Sequence, residues 1–275
     1  VIIFGYMAFI NLAVCIASCV FFEYILRRMM KRPQTISDMS AVVTGMLLGM
    51  NLPPTINPLY GVIGSFVAIG IAKQLFGGIG QNFANPAIVG RIVLMLSFTA
   101  SMSTWCKPFY YLNGADVVTG ATPLVSKDAD YLSLLLGTTG GCIGETCAIA
   151  LIAGGIYLIA ARIITPHAPV AFIGTVFLLT LIAGDDPIYA VLSGGLIIGA
   201  FFMATDYATT PLTGKGKIIF GIGCGLITFA IRKFGNYPEG VSFSILLMNL
   251  LVPYIDRLCE TKPVGAKAPE KEASK

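Results

Sequence analysis

Thr122 closes the run Asp116-Val117-Val118-Thr119-Gly120-Ala121-Thr122, within the longest polar interruption of an otherwise apolar chain. Its hydroxyl can act as the acceptor of a transferred group. Gly120 and Ala121 are small enough to let a second enzyme approach, so no resident catalytic base is needed. The competing reading is an ordinary turn entering a helix, with Asp116 or Thr119 as its cap. Three carboxylates, Glu145, Asp206 and Glu239, also ask for a role. A charge at the centre of a membrane helix costs about 2.5 to 3.5 kcal/mol on insertion scales, so such groups face a partner, water or a cavity. Glu145 follows Gly140-Gly141-Cys142-Ile143-Gly144 in a long apolar run, whereas Asp206 and Glu239 fall at expected helix breaks. All three are candidates for an ion path. Asn82 and Asn85 are three apart before Pro86, so a helix starting there puts both amides on one face, able to hold the polar edge of a planar ligand. Capping of the helix that begins near Ala87 is the alternative for the pair. Arg91, one turn on, can pair with Glu145 or with such a ligand.

The elements that must position these groups follow from composition. Hydrophobic residues make up 56% and charged residues 12% of the chain, with a mean hydropathy of +0.81. Soluble domains carry roughly 25% charged residues, so this is an integral membrane protein. Nine apolar segments are expected, at 1–25, 39–54, 58–75, 85–100, 132–160, 168–184, 187–205, 216–233 and 239–255. Their length and lack of alternation specify helices rather than the strands of a barrel. The net charge of +4 comes from short basic clusters between these runs, which act as topology signals and make nucleic acid an unsuitable partner. The seven cysteines form no C-x-x-C pair and read as buried thiols, and His167 reads as a loop residue without a metal role.

Arg27, Arg28, Lys31 and Arg32 place the first loop in the cytoplasm, and alternation then puts the loop 101–131 on the extracytoplasmic side. Arg232 and Lys233 dissent by falling on the outer side, which calls for a specific anionic partner or a recount. The chain reads as one transmembrane domain over 1–258 and a cytoplasmic disordered tail over 259–275. Ser40 to Leu96 resembles Ser193 to Leu251, five helices later. An odd offset makes the copies face opposite ways, as in inverted-repeat transporters, and ten helices in the full chain would complete the symmetry. Breaks at 51–54, 77–86, 205–211 and 235–240 mark a ligand or ion path, because open backbone at membrane depth needs protein or a wet cavity beside it.

The run ending at Thr122 resembles the site at which bacterial flavinyltransferases join FMN to threonine through a phosphoester. Nearly the whole chain resembles the D subunits of Rnf ion-translocating ferredoxin:NAD oxidoreductases, related to the B subunit of the sodium-pumping NADH:quinone oxidoreductase. The likeness is carried in order by Ser40-Ala41-Val42-Val43-Thr44-Gly45, Lys73 to Asn82, Asn85-Pro86-Ala87, Gly90-Arg91, Gly120 to Leu124, Gly144-Glu145-Thr146, Phe202 to Asp206, Pro238 to Val241 and Met248 to Leu251. Phe83-Ala84-Asn85-Pro86 departs from the expected Pro-Phe-Asn-Pro and leaves both asparagines in place.

The resemblance implies covalent FMN on Thr122, with Asp116, Thr119, Gly120 and Ala121 recognised by the modifying enzyme. A non-covalent riboflavin, counterpart to that of the quinone-reducing relative, would be held near Asn82, Asn85 and Arg91. It also implies a bacterial cytoplasmic membrane location. The implied partners are a second covalent-FMN subunit, iron-sulfur membrane subunits and peripheral subunits handling ferredoxin and NAD. Two rivals stand beside this reading: the quinone-reducing B-type subunit, and a solute channel of urea or ammonium type, which needs no flavin.

Overall fold

The computed structural model describes residues 2–112, 119–120, 122–126, 129–235 and 239–260. Asp116, Ala121 and nearly all of the expected tail lie outside the described residues. The order begins with α1 (Gly5–Met29), α2 (Ser40–Met50), α3 (Pro58–Phe66, continued by a π-helical stretch Val67–Gln74), α4 (Pro86–Ser97) and the short α5 (Thr99–Met102). A two-residue antiparallel pairing of β1 (Trp105–Cys106) with β2 (Thr119–Gly120) follows, then the short α6 (Pro123–Ser126) and α7 (Tyr131–Leu136). The second half holds α8 (Ala148–Ala160), α9 (His167–Ile182), α10 (Pro187–Leu192), α11 (Leu196–Ile198, continued by a π-helical stretch Gly199–Met203), α12 (Gly214–Phe234) and α13 (Val241–Leu258).

The all-helical expectation holds. Among the described residues three helices, α1, α12 and α13, are long and apolar enough to cross a membrane on their own. The remaining apolar segments form shorter helices, and two expected to be continuous are broken. The 132–160 segment is split into α7 and α8 by residues 137–147, and 187–205 is split at Ser193-Gly194-Gly195. Glycine explains both interruptions: Gly137 and Gly194 have φ of +84° and +66°, a conformation that ends a helix and suits a residue without Cβ.

Helix starts follow a repeated local rule. Asn57, Asn85 and Asp186 each precede a proline and accept from the second helical amide, at 3.0 Å in all three cases. Proline at the first helical position loses no bond, because that amide has no partner within the helix. Close helix contact rests on glycine pairs four apart. A Cβ on Gly45 of α2 would stand 2.7 Å from the backbone of Ile16 in α1, and one on Gly221 of α12 would stand 2.6 Å from the Ala168 carbonyl in α9. With Gly49 and Gly225 one turn on, these are small-xxx-small seams of the kind that hold membrane helices together.

α1 packs on α2 and α3, while α9 packs on α10 and α12. The last turn of each central helix then places a lysine on an acid at the end of its neighbour: Lys73 on Glu23 and Lys233 on Asp185. The first pair is fully buried at 2.6 Å, and Lys73 also donates to Ser40 Oγ at 2.6 Å. The second pair is half-exposed.

Candidate functional site

The segment that carries Thr122 is fixed from three sides. Thr119-Gly120 pairs with Trp105-Cys106, the Tyr189 hydroxyl donates to the Pro123 carbonyl at 2.8 Å, and Leu124 lies over Gly194. A Cβ at Gly194 would fall 2.5 Å from Leu124 Cδ1, so the same residue that breaks the helix makes the seat for this loop. These contacts bury Thr122 to 2% exposure. The accessible hydroxyl expected from the sequence is therefore packed against the bundle. It lines a cavity of about 10 Å³ together with Thr139, Glu145 and Thr146. A space of that size holds about one water and has no room for a phosphate, so any ester on Thr122 requires the 119–126 segment to stand away from its docked position.

Glu145, on the other wall of that cavity, accepts from the Cys142 amide at 3.0 Å through Oε1, while its buried Oε2 meets no donor among the described residues. Arg91 does not choose Glu145 as its direct partner. It forms its ion pair with Glu239 and donates to Asn51 Oδ1 at 2.6 Å and Ser242 Oγ at 3.1 Å. Both groups nevertheless border Gly195: a Cβ there would lie 3.4 Å from Glu145 Oε2 and 3.7 Å from Arg91 Nη1. Cys142, Glu145 and Glu239 bring potential metal ligands within 4.8 Å of one another. The cation already among them is the Arg91 guanidinium, whose Nη2 also lies 3.5 Å from Cys142 Sγ. This accounts for the Glu239 carboxylate, while Glu145 keeps one buried oxygen without a donor among the described residues.

Asn85 is the cap of α4, its side-chain oxygen accepting from the Ala87 and Ile88 amides. Its amide nitrogen donates to the Met203 carbonyl at 3.3 Å. Asn82 lies before the helix, not on its face, donates to the Ala84 carbonyl at 3.1 Å and lies near the Asp206 carboxylate. The three positions suggested for one ligand edge therefore do not converge: Asn82 and Asn85 belong with Asp206 and Met203, and Arg91 with Glu239. Asp206 also accepts from Thr209 Oγ1 at 3.0 Å and lines a cavity of about 250 Å³ with Arg162, Thr165, Lys217 and neighbours.

A line of contacts joins these groups. Asn85 touches Met203, Met203 Sδ lies 3.7 Å from Asn51 Nδ2, Asn51 holds Arg91, Arg91 holds Glu239, and Glu145 adjoins Thr122. The sequence reading missed Asn51, Cys142 and Ser242 as members. Asn51 had a visible signal, since it opens the Asn51-Leu52-Pro53-Pro54 break; a lone serine and a scattered cysteine had none.

Comparison with known proteins places this architecture. Over residues 1–265 the chain matches the model of the NQR2, RnfD, RnfE family. It is 46% identical to the D subunit of a Na(+)-translocating ferredoxin:NAD(+) oxidoreductase complex of Acetobacterium woodii, covering 98% of this chain and 87% of that protein. It is also 46% identical to the D subunit of the proton-translocating ferredoxin:NAD(+) oxidoreductase complex of Clostridium ljungdahlii, covering 96% and 86%. The D subunit of an ion-translocating oxidoreductase complex of Stutzerimonas stutzeri is 38% identical over 92% and 82%. With a match that runs through both glycine seams, the buried ion pairs and the docked Thr122 segment, the chain belongs to the NQR2, RnfD, RnfE family.

Proposed function

We propose that this chain is the D-type membrane subunit of an ion-translocating ferredoxin:NAD⁺ oxidoreductase complex and carries FMN as a phosphoester on Thr122. The observation that carries the reading is the near end-to-end likeness to D subunits so named, with the flavinyltransferase-type run ending in Thr122. The B-type quinone-reducing subunit remains the rival within the same family, and the channel reading loses its support to these relatives. The two relatives at equal identity are named for different ions, so overall likeness does not choose between Na⁺ and H⁺.

FMN, when bound, supplies one- and two-electron chemistry that no side chain can provide. The residues present supply its setting. The docked hydroxyl has no space for the ester, so we place the modified Thr122 in an undocked state, released from the contacts with β1, Tyr189 and Gly194. Asp116, Thr119, Gly120 and Ala121 then serve recognition by the flavinyltransferase. Glu145, adjoining Thr122, together with Glu239 and the more distant Asp206, forms the polar route along which an ion would pass. Arg91 fixes Glu239 and screens Glu145. A non-covalent flavin at Asn82, Asn85 and Arg91 would have to displace the cap of α4 and the Arg91 pair, which makes a single complete berth at those three residues a poor fit.

The partners proposed for the chain are a second covalent-FMN subunit, iron-sulfur membrane subunits and the peripheral subunits that handle ferredoxin and NAD. The membrane is the bacterial cytoplasmic one, with Thr122 on its outer side. The test is flavin fluorescence of the denatured chain on a gel after coexpression with a flavinyltransferase. The band is expected in the wild type and absent in Thr122→Val; a wild-type chain without a fluorescent band contradicts the assignment.

A further inference from the structure

We infer that the cavity at the cytoplasmic ends of α9 and α12 binds the phosphodiester headgroup of an anionic phospholipid, with Arg162 and Lys217 as its cationic contacts. The two helices run parallel: along their seam Gly214 faces His167, Gly221 faces Ala168 and Gly225 faces Thr175. Their N-termini therefore lie at the same end of the bundle. A helix N-terminus carries roughly half a positive charge, so two side by side favour an anion. The charge pattern that sets the 101–131 loop outside sets residues 162 and 215–217 on the cytoplasmic side, the leaflet face that carries anionic lipid.

The cavity between these ends, about 250 Å³, falls just below the range of about 300 to 1,000 Å³ for small-molecule sites. That size suits a headgroup and leaves the acyl chains outside. Arg162 and Lys217 line the cavity, and neither forms an ion pair among the described residues. Lys217 donates to Thr165 Oγ1 at 3.0 Å, which leaves its other N–H groups and the Thr165 hydroxyl hydrogen for a ligand. Arg162 stands just past the cap of α8 with φ of +57°, where glycine is the usual occupant. An arginine there brings a guanidinium to the cavity wall. The Tyr207 hydroxyl donates to the Ile163 carbonyl at 2.5 Å and ties the 205–211 break to the segment that follows α8.

Carboxylates beside the cavity are already engaged. Asp206 accepts from Thr209 Oγ1 at 3.0 Å and lies near Asn82, and Asp256 accepts from the Leu212 amide at 3.0 Å. The rim decides between a lipid and a soluble phosphate. Leu212 is 83% exposed and Tyr207 79%, and Ile218 and Ile219 on the first turns of α12 are exposed as well. A basic cavity with an apolar mouth opens onto acyl chains, for which a soluble anion has no counterpart. A headgroup bridging Arg162 and Lys217 braces the 205–211 break, and with it Asp206, between α8 and α12.

The test is native mass spectrometry of the full chain in a neutral detergent, titrated with phosphatidylglycerol or with phosphatidylcholine. Phosphatidylglycerol is expected to bind preferentially. Each Lys or Arg near an anionic headgroup contributes about fivefold, so Arg162→Gln and Lys217→Gln should each weaken phosphatidylglycerol binding about fivefold, and the double variant about 25-fold. Arg162→Lys, which keeps the charge, should bind as the wild type does. Lys31→Gln, which removes a cytoplasmic charge far from the cavity, should change nothing. Equal binding of the two lipids, or a loss in Lys31→Gln as large as in Lys217→Gln, overturns the site. Displacement of phosphatidylglycerol by an equal concentration of glycerol phosphate overturns the lipid assignment in favour of a soluble phosphate.

Discussion

Arg91 is the most heavily committed polar side chain in the bundle, and removing it should cost more than removing the carboxylate it pairs with. It is 2% exposed and bonds to Asn51, Ser242, Cys142 and Glu239, while Glu145 lies across Gly195 from it. Breaking one partner of a buried pair costs about 3 to 5 kcal/mol, because the other charge is left uncompensated. Arg91→Met leaves the Glu239 carboxylate and the Asn51 oxygen without their donor and removes the cation near Glu145, so the upper end, about 5 kcal/mol, is expected. Glu239→Gln keeps an acceptor for Arg91, worth about 1 kcal/mol, and Glu145 remains as a second anion, so about 2 to 3 kcal/mol is expected. Arg91→Met/Glu239→Met, which removes both charges, should be less damaging than Arg91→Met alone. Equilibrium unfolding in mixed micelles measures each variant, and the cycle isolates the coupling. Costs below about 1 kcal/mol that simply add in the double variant would refute the view that this pair is a dry, coupled unit.

Other consequences can be checked alongside. Lys73→Met strands Glu23 at 0% exposure and should destabilise by about 3 to 5 kcal/mol in the same assay, whereas Lys233→Met, at the half-exposed equivalent pair, should cost about 1 kcal/mol or less. Gly221→Leu drives a side chain into the Ala168 carbonyl and should cost at least the 1 to 3 kcal/mol or so typical of overpacking, seen as lost α9–α12 association or expression. Asn85→Ala removes the α4 cap and should cost about 1 kcal/mol with no change in covalent flavin. Asp206→Asn in the assembled complex should lower ion uptake by vesicles with electron transfer retained; uptake at the wild-type rate removes Asp206 from the route.

Apolar length and Pro-containing breaks were enough to reveal the helical class and the place of nearly every segment. They could not reveal that 132–160 and 187–205 are split, because Gly137 and Gly194 look like any other membrane glycines until their positive φ is known. The carboxylates stood out as costly groups, yet their partners did not. Arg91 selects Glu239 across 148 residues, a choice made by the packing of α4 against α13 and by no local pattern. Asn85 acts as the cap that its Asn-Pro context allowed, and Asn82 turns instead to Asp206. Burial of Thr122 was equally invisible, since it depends on Tyr189 and Gly194, distant in the chain, meeting Pro123 and Leu124 beside it.

The most direct test of the central claim is the mass of the peptide that contains Thr122, digested from chain matured with a flavinyltransferase in the cell. The account predicts an increment equal to FMN less one water, placed on Thr122 by fragmentation and lost in Thr122→Val. An unmodified Thr122 peptide from fully matured complex, or the same increment on another residue, would contradict it.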